Sequence, residues 1–232
     1  MPRFDKIICA FLRPQFWPIL ARGVIPSLEH TSAFIDRNYR TIVDVGANKG
    51  QFATFARARW PQARLICFEP LARPRARLAA VIAGAAEIYF FALGQVEGKA
   101  QMHLASREDS SSLLPLGDTQ KRLFEMQQKG LLTVPVHRLD SVLDGDTLVG
   151  PVLLKIDVQG FEYEVLMGAA GVMNQVVAVY VECSFLELYT HQKLASDVAD
   201  LLGKIGFSET GRFNRCIRDG VEVQADILFE RT

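Results

Sequence analysis

The sequence predicts an α/β fold: a doubly wound, mostly parallel sheet with helices on both faces and an antiparallel hairpin at the C-terminus. Two observations favour it. Short and nearly continuous apolar runs, such as TIVDV at 41–45 and VLLKID at 152–157, alternate with helical patterns. Strands with this composition are typical of parallel sheets that are covered on both faces. The last stretch, from GFSETGRFN to VQADILFE, indicates two strands joined as a hairpin.

The remaining elements follow in chain order. The predicted strands are 41–45, 64–69, 87–93, 152–157 and 176–182, and the predicted helices are 50–60, 70–82, 161–169 and 193–205. Residues 94–150 interrupt the alternation with a hairpin, the polar stretch SREDSSSLLPLGDTQ and a short strand in LLTVPVHRLD. A loop of this length usually covers or forms a binding site. We therefore predict a domain over 41–232 with a lid or insert at about 94–150, and a helical segment over 1–40 packed on it.

The composition narrows the classes of function. The chain has 232 residues, of which 49% are hydrophobic and 22% charged, as in an ordinary globular domain. Lys plus Arg equals Asp plus Glu at 26 each, so no basic excess indicates a nucleic-acid partner. The four cysteines form no CxxC pair and indicate reduced thiols in a cytoplasmic protein, and the four histidines lack the spacing of metal ligands.

The N-terminal stretch MPRFDKIICAFLRPQFWPIL does not read as a targeting signal. Its longest apolar run, IICAFL, is too short for a signal-peptide core and ends at Arg13 and Pro14. No stretch of the sequence approaches the length of a membrane span. We expect Phe11, Phe16 and Trp17 to dock this segment on the domain or on a second subunit, which would give a homodimer. Contact with a membrane surface is a less favoured alternative.

The segment TIVDVGANKG, 41–50, ends the first strand with a carboxylate and two glycines four residues apart. Ligands of open parallel sheets bind beyond the carboxyl ends of the strands, which is where Asp44, Gly46, Asn48 and Gly50 lie. Glycine permits close approach of a ligand to the main chain, and asparagine tolerates a positive φ. The dinucleotide fingerprint G-x-G-x-x-G would require its last glycine at Gln51, so binding of NAD is not predicted.

Glu69 closes the second strand, 19 residues after Gly50. An acidic side chain at this place can accept hydrogen bonds from both hydroxyls of a ribose. The loop and the acid together indicate a nucleoside without a pyrophosphate, and S-adenosylmethionine is the cofactor that fits. The alternative for the loop alone is a structural turn.

Seven blocks of the sequence, in order, resemble the FkbM family of S-adenosylmethionine-dependent methyltransferases. They are IVDVGANKGQF (42–52), FEPL (68–71), DSSSLL (109–114), VPVHRLD (134–140), LLKIDVQGFEYEVLMGA (153–169), VYVECSFLELY (179–189) and QADILF (224–229). The resemblance runs from about residue 28 nearly to the C-terminus. It implies the seven-stranded, Rossmann-like class I methyltransferase fold and O-methylation of a hydroxyl on a saccharide or a polyketide-type small molecule.

The resemblance also implies the residues of the cofactor site. They are Asp44, Gly46, Ala47, Asn48, Gly50, Glu69, Pro70, Leu93, Ser111, Asp157 and Gln159. S-adenosylhomocysteine would be the product. Many methyltransferases carry an Asp or Asn after the third strand that binds the adenine amino group, whereas FALGQ offers only Gln95 or main-chain groups near Leu93. The serines at 110–112 suit a lid over the site, and a solvated loop is the alternative.

Three residues are candidates for catalysis. Asp157 and Glu182 end the fourth and fifth strands, so we expect their carboxylates to converge over one crevice. We interpret them as a base, with Asp157 the first choice, and an orienting acid; the alternative is that both cap local turns or helices. His30 is the third candidate, although a lone histidine is more often a capping or core residue. We treat Gln224 and Asp226, in the hairpin, as structural.

Two other functions stay open on the sequence. A metal-assisted methyltransferase would use Asp157, Glu182 and one further oxygen to hold Mg²⁺, although we expect no metal. A nucleoside-binding protein without catalysis would bind the methyl donor and act through a partner. The intact Asp44, Glu69 and Asp157 argue against this second alternative.

Overall fold

The computed structural model describes residues 3–232 and contains ten strands and eight α-helices in that range. The helices are α1 (Arg3–Phe11), α2 (Trp17–Leu20), α3 (Gln51–Arg59), α4 (Ala72–Ile82), α5 (Asp118–Phe124), α6 (Leu139–Val142), α7 (Glu162–Met167) and α8 (Ala195–Lys204). The strands are β1 (Thr41–Val45), β2 (Arg64–Phe68), β3 (Glu87–Tyr89), β4 (Ala92–Leu93), β5 (Gly98–Ala105), β6 (Gln128–His137), β7 (Val152–Ile156), β8 (Val176–Ser184), β9 (Phe207–Arg218) and β10 (Val221–Arg231).

Seven strands form the main sheet in the order β3-β2-β1-β7-β8-β10-β9. The first five in this order run parallel to one another, and β10 is antiparallel to both β8 and β9. The predicted doubly wound sheet with its C-terminal antiparallel hairpin is therefore confirmed. Val45 of β1 pairs with Ile156 of β7, so the two loops that follow these strands lie side by side.

The core lies on both faces of this sheet, as the apolar strands predict. Along β7, Leu154 packs into a cluster with Val165 and Leu202 of the helices on one face. Leu153 packs into a second cluster on the other face, with Phe34 and Phe52. Because neighbouring side chains of a strand point to opposite faces, both must be apolar, which explains the uninterrupted run VLL.

The predicted third strand, 87–93, is wrong as a single element. Residues Glu87–Tyr89 join the main sheet through β2, but Ala92–Leu93 pair with β6 in a separate three-stranded sheet of order β4-β6-β5. Phe90, between the two strands, is 55% exposed. Ala92 and Leu93 are buried in the second sheet, whereas Ile88 and Tyr89 are half-buried in the main sheet. Since both parts of the run are apolar, composition alone does not show where the chain changes sheet.

The insert between the two halves of the main sheet is built on the hairpin of β5 and β6. Its second strand, β6, spans ten residues rather than the short strand that the sequence predicts. Residues 106–127 connect β5 to β6 and contain a 3₁₀ turn at Glu108–Ser110 and helix α5. We call residues 106–127 the covering segment, because Glu108, Ser110 and Ser111 lie over the carboxyl ends of the main strands.

The N-terminal segment packs on the face that carries α3. Ala10, Phe16 and Phe34 are buried in the cluster of that face. Phe11 and Trp17, in contrast, are 64% and 53% exposed. Residues 28–34 form a 3₁₀ helix that brings His30 to the sheet. Among residues 3–232, none of the helices combines the length and the apolar character that a membrane-spanning segment requires.

Candidate active site

A cavity of about 340 Å³ opens at the carboxyl ends of β1, β2, β7 and β8, and the covering segment forms part of its wall. This volume falls in the range of small-molecule sites. One side of the cavity is formed by the loop after β1, by Glu69 and by the apolar side chains of Phe91, Leu93 and Met102. The other side is polar and includes His30, Asp157, Gln159, Glu182 and Gln224. The cavity therefore has two chemically different compartments.

The loop after β1 holds three residues in the left-handed region, Gly46 at φ 77°, Asn48 at 48° and Gly50 at 88°. A Cβ atom on Gly46 would lie 1.8 Å from the carbonyl oxygen of Asp157, and one on Gly50 would lie 2.9 Å from Val81. From the sequence, we expect these glycines to permit the close approach of a ligand to the main chain. The structure shows that they are required by the neighbouring strand end and by α4, which hold the loop against β7.

Glu69 is 5% exposed at the wall of the cavity. Its two carboxylate oxygens accept hydrogen bonds from the main-chain N–H groups of Asn48, at 2.9 Å, and Leu71, at 2.7 Å. Burial raises the pKa of Glu69 to about 7, against the opposing effect of these two donors. A carboxylate oxygen has two lone pairs, so each oxygen can still accept one further hydrogen bond.

Asp44 and Lys155 form a buried ion pair beneath the cavity floor. The Lys155 Nζ lies 3.0 Å from Asp44 Oδ1, and the two side chains are 7% and 0% exposed. Burial disfavours the ammonium, but the neighbouring carboxylates of Asp44 and Asp157 outweigh it and raise the pKa of Lys155. The carboxylate oxygens of Asp44 hydrogen-bond to no other group in residues 3–232. The ion pair with Lys155 therefore offsets the cost of burying the Asp44 charge.

Asp157 and Glu182 are joined by one amide. Gln159 Nε2 donates to Asp157 Oδ1 at 2.8 Å and to Glu182 Oε2 at 2.9 Å, and Gln224 Nε2 lies 3.3 Å from the same Glu182 oxygen. Burial, together with the negative charge of Asp157, raises the pKa of Glu182 well above its usual value. The two carboxyl groups therefore converge over one crevice, as the strand ends predict, with Asp157 the more exposed of them at 37%.

Glu162 stabilises the loop that carries Asp157 through hydrogen bonds to its main chain. Its Oε1 accepts from the main-chain N–H groups of Val158, at 3.1 Å, and Gly160, at 3.0 Å. Gln159 itself adopts φ 60°, a conformation that costs free energy in a residue other than glycine. Burial raises the pKa of Glu162 to about 7. The loop is thus held in the one conformation that directs the Gln159 amide between the two carboxylates.

Tyr189 links this loop to the covering segment. Its hydroxyl lies 2.9 Å from Gln159 Oε1 and 3.0 Å from the carbonyl oxygen of Ser110, and it accepts from Gln120 Nε2 at 3.3 Å. An ion pair also joins Glu108 of the covering segment to Lys49 of the loop after β1, with 3.2 Å between Glu108 Oε2 and Lys49 Nζ. The covering segment therefore contacts both compartments of the cavity.

The structure brings most of the predicted residues to one cavity. Its wall includes Gly46, Ala47, Asn48, Glu69, Pro70, Leu93, Ser111, Asp157 and Gln159, together with the catalytic candidates Glu182 and His30. Asp44 and Gly50 lie behind this wall and support it. Lys155, Phe52 and Tyr189 are not among the residues predicted from the sequence, and Gln224, which is treated there as structural, also lines the cavity. Only Lys155 left a signal, because a lysine inside an apolar strand needs a buried partner.

Metal ligands are not assembled at this site. Within residues 3–232, no group of three or more histidine, cysteine or acidic side chains is placed to hold a metal ion. The space between Asp157 and Glu182 is taken by the NH₂ group of Gln159, which is a hydrogen-bond donor. The residues therefore do not fit a bridging divalent ion.

The strand order, the loop after β1 and the acid after β2 together define the class of Rossmann-like, S-adenosylmethionine-dependent methyltransferases. The solved structure of Streptococcus pneumoniae Sp1610, a candidate tRNA (m1A22) methyltransferase in complex with S-adenosyl-L-methionine, has the same fold. It is 11% identical, with a TM-score of 0.51, over 88% of this chain and 71% of that one. At this identity the likeness concerns the fold alone.

Residues 44–209 match the methyltransferase FkbM domain. This range is more than half of the chain, and the chain belongs to the FkbM methyltransferase family. The family match supports a methyltransferase over the alternative of a nucleoside-binding protein without catalysis.

Two curated relatives are similar along most of the chain. The 2-O-methyltransferase NoeI of Sinorhizobium fredii NGR234 is 28% identical over 200 residues, which are 82% of this chain and 79% of NoeI. The AMB antimetabolite synthetase AmbE of Pseudomonas aeruginosa PAO1 is 25% identical in an alignment of 227 residues that covers 82% of this chain but 10% of that much longer protein.

Proposed function

We propose that this methyltransferase methylates a hydroxyl oxygen of a saccharide or a polyketide-type small molecule. The observation that carries the proposal is the position of Asp157, a partly exposed carboxylate that lies in the polar compartment directly beside the loop after β1. The similarity to a 2-O-methyltransferase supports an oxygen as the acceptor atom. The equal numbers of cationic and anionic side chains argue against a nucleic-acid acceptor.

The apolar compartment fits the nucleoside of the methyl donor. Asn48 Oδ1 is buried without a hydrogen-bond partner in the described chain, and the Glu69 oxygens have free acceptor positions for the ribose hydroxyls. Phe91, Leu93 and Met102 offer an apolar wall to the adenine. Gln95 is not part of this wall; its carbonyl accepts from Arg138. When bound, S-adenosylmethionine supplies a methyl group on a positively charged sulfur.

The polar compartment would orient the acceptor and take its proton. An alcohol holds its proton tightly, so Asp157 acts by partial proton transfer as the new bond forms, and not by deprotonation beforehand. Glu182, whose pKa is raised, is suited to keep its proton and to donate a hydrogen bond. Two neighbouring carboxyl groups with different pKa values can thus act as an acid and a base. Gln159 holds the two in place. The covering segment would exclude water.

Magnesium assistance is the less favoured version of this function. A divalent ion between Asp157 and Glu182 would have to displace the Gln159 amide that donates to both. It would also require a third ligand, and the pair Gln159 and Gln224 offers only neutral amides. We therefore propose the metal-free reaction.

Replacing Glu69 by alanine is expected to weaken binding of S-adenosylhomocysteine by about 1.5–3 kcal/mol, the scale of hydrogen bonds to a charged group. The main sheet should remain intact because Glu69 follows β2, although the Asn48 and Leu71 N–H groups lose their acceptors. Calorimetry measures the affinity. Glu87→Ala, which removes an exposed carboxylate one strand away, is the control. An unchanged affinity in Glu69→Ala would place the ribose elsewhere.

The affinity for S-adenosylhomocysteine should also depend on pH. Ribose hydroxyls donate to the ionised form of Glu69, whose pKa of about 7 in the free protein means that a proton must leave on binding at lower pH. Affinity is therefore expected to be level well above pH 7 and to fall by up to about tenfold per unit below it. Glu69→Gln should remove this dependence. A wild-type affinity that rises on acidification would contradict the assignment.

The covering segment is expected to open in the free protein and to become protected when S-adenosylhomocysteine binds. The segment packs in a small apolar cluster with Leu188 and Tyr189 that is separate from the two clusters of the main sheet, and the contacts of Glu108 with Lys49 and of Ser110 with Tyr189 hold its 3₁₀ turn over the cavity. Segments that pack outside the main core open at lower free energy than its strands. Hydrogen exchange of residues 106–127 measures this, with the buried strand β7 as the internal control. Exchange at equal rates in the free and bound protein would refute it.

We further propose that the N-terminal segment pairs two copies of the chain. Phe11, Leu12 and Trp17 are 64%, 73% and 53% exposed, and Trp17 Nε1 donates to the Phe11 carbonyl at 2.7 Å, so they form a fixed apolar patch. Phe11→Ser with Trp17→Ser is expected to convert a dimer into a monomer in sedimentation. The control is Val96→Ser, at an equally exposed residue. A monomeric wild type would disprove the pairing.

The acceptor can be identified with ¹³C-methyl S-adenosylmethionine and a panel of neutral methyl glycosides, hydroxylated polyketides and tRNA. Nuclear magnetic resonance of the products separates methyl groups on oxygen from those on nitrogen or carbon. The proposal predicts a new O-methyl signal from a glycoside or polyketide and none from tRNA. Transfer only to nitrogen or only to tRNA would contradict it.

A further inference from the structure

Asn214 lies where β9 departs from regular pairing with β10. Phe213 pairs with Asp226 and Cys216 pairs with Gln224, so Asn214 and Arg215 together face the single residue Ala225. This is a β-bulge, and Asn214 adopts φ 48° within it. Bulges redirect side chains and occur next to active sites, and a left-handed residue is retained only where its surroundings require it. In this bulge the Asn214 amide contacts Asp226 and His30.

The neighbours of Asn214 decide which way its amide faces. Its terminal group lies 2.7 Å from Asp226 Oδ2, and only the NH₂ side can approach a carboxylate so closely, because Asn Oδ1 would be a second acceptor. The same nitrogen lies 3.0 Å from His30 Nδ1. One hydrogen of the amide therefore goes to Asp226, and the other faces His30 Nδ1 and, farther away at 3.4 Å, the Tyr180 hydroxyl; we assign it to His30, the nearer acceptor.

Since Nδ1 accepts, the proton of the neutral His30 ring is on Nε2. Tyr180 is compatible with this arrangement: the single proton of its hydroxyl has both His30 Nδ1, at 3.0 Å, and Asp226 Oδ2, at 3.2 Å, as acceptors within reach. The ring is held in place by edge contacts with Phe52 and Tyr180, with centroids 5.4 Å away in both cases. In the part of the chain that the structure describes, Nε2 has no hydrogen-bond partner and is not a buried atom, and His30 lines the cavity.

Charged groups face His30 from several elements. Glu29 and Lys6 lie on the N-terminal side, and Lys155 and Asp157 come from the end of β7. Burial, together with the two ammonium groups, outweighs the two carboxylates and lowers the pKa of His30 to about 4, so the ring is neutral near pH 7. Asp226 has its pKa raised by burial, to about 6, and is largely ionised there, as the assignment of the amide requires.

We propose that Asn214 and Asp226 are positioning residues that fix His30 as its Nε2–H tautomer, so that His30 donates a hydrogen bond to an oxygen of the bound acceptor. The hydrogen bond from His30 to the acceptor rests on the proposed function, whereas the tautomer of His30 is independent of it. His30 is then unable to take the proton of the acceptor, because Nε2 already carries one and Nδ1 is occupied. This leaves Asp157 as the base and gives His30 a role in acceptor recognition. It also makes Asp226, which the sequence argument treats as structural, part of the acceptor site.

Two-bond ¹H–¹⁵N spectra of the ¹⁵N-histidine-labelled protein distinguish the tautomers directly. The loss of one ring pattern in His30→Gln assigns His30. We expect the Nε2–H pattern in the wild type across neutral pH, and its replacement by the Nδ1–H or the doubly protonated pattern in Asn214→Asp, where a carboxylate replaces the amide donor. Asn174→Asp, the same change at an exposed site, should leave the pattern unchanged. An Nδ1–H wild type, or an unchanged pattern in Asn214→Asp, would overturn the assignment.

Methyl transfer to the neutral methyl glycosides tests the donation. His30→Leu and Asn214→Asp should raise the acceptor KM roughly 2- to 10-fold, the scale of one lost hydrogen bond to a neutral group, with S-adenosylhomocysteine affinity nearly unchanged. His30→Gln keeps an N–H near the position of Nε2 and should recover part of the loss. An unaltered KM in His30→Leu refutes the donation. If the wild type methylates no glycoside, the proposed saccharide acceptor is in error, and the spectra still decide the tautomer.

Discussion

Asp157→Asn is expected to lower turnover at least ~10²-fold, the range of a lost general base. The amide is close to the carboxylate in size but accepts a proton far less readily. S-adenosylhomocysteine affinity should change little, because Asp157 lies in the polar compartment and Glu69 in the other. Single-turnover methyl transfer at saturating donor measures the effect. Equal turnover in the variant and the wild type would remove Asp157 from the proton transfer.

The same variant separates the metal-free reaction from the magnesium alternative. Without a metal, a chelator leaves the wild type fully active. Glu182→Gln, which preserves a hydrogen-bond donor, then lowers turnover much less than Asp157→Asn. With a metal, a chelator alone abolishes activity, Mg²⁺ or Mn²⁺ restores it, and Glu182→Gln reproduces the loss because a ligand is missing. Chelator-sensitive activity rescued by a divalent ion would overturn the metal-free proposal.

Lys155→Met should destabilise the fold by about 3–5 kcal/mol, the cost of leaving a buried carboxylate without its partner. Asp44 is fully buried, and without the ammonium it must take up a proton or remain charged in the core. Adding Asp44→Asn to Lys155→Met should recover part of the loss. The free energy of unfolding from denaturant titration measures all three proteins.

A surface ion pair supplies the control for this prediction. Lys121 pairs with Asp118 at an exposed position, and Lys121→Met should leave the unfolding midpoint where it is. If Lys155→Met is no more destabilising than Lys121→Met, the buried pair is not what maintains the loop after β1. If the double variant is worse than Lys155→Met alone, the carboxylate has a second partner.

The parallel sheet with its C-terminal hairpin and the place of the site were predictable because both follow from local pattern. The run VLL in β7 requires burial on both faces, and the ends of parallel strands meet at one edge. The break at Phe90 was not predictable, because β4 is apolar for a different reason, its pairing with β6. The glycines of the loop were found correctly, but their cause lies in the Asp157 carbonyl and in α4, which are distant in sequence.

The residues that the sequence argument missed act through long-range contacts. Tyr189 reaches Gln159 from 30 positions away, and Asn214 reaches His30 from 184. Neither belongs to a local spacing that predicts a site, and the bulge that directs Asn214 is a property of strand register. Glu182 is predicted as the end of its strand, but β8 continues to Ser184. Its contact with the Gln224 amide depends on the pairing of β10 with β8, which no local pattern indicates.

A crystal structure with bound S-adenosylhomocysteine tests most directly whether one cavity combines the methyl donor with Asp157. We expect the ribose hydroxyls on Glu69, the adenine against Phe91 and Leu93, and the sulfur facing the compartment of Asp157 and Glu182. The covering segment should lie over the nucleoside. A nucleoside bound outside this cavity, or a ribose that makes no contact with Glu69, would contradict the account.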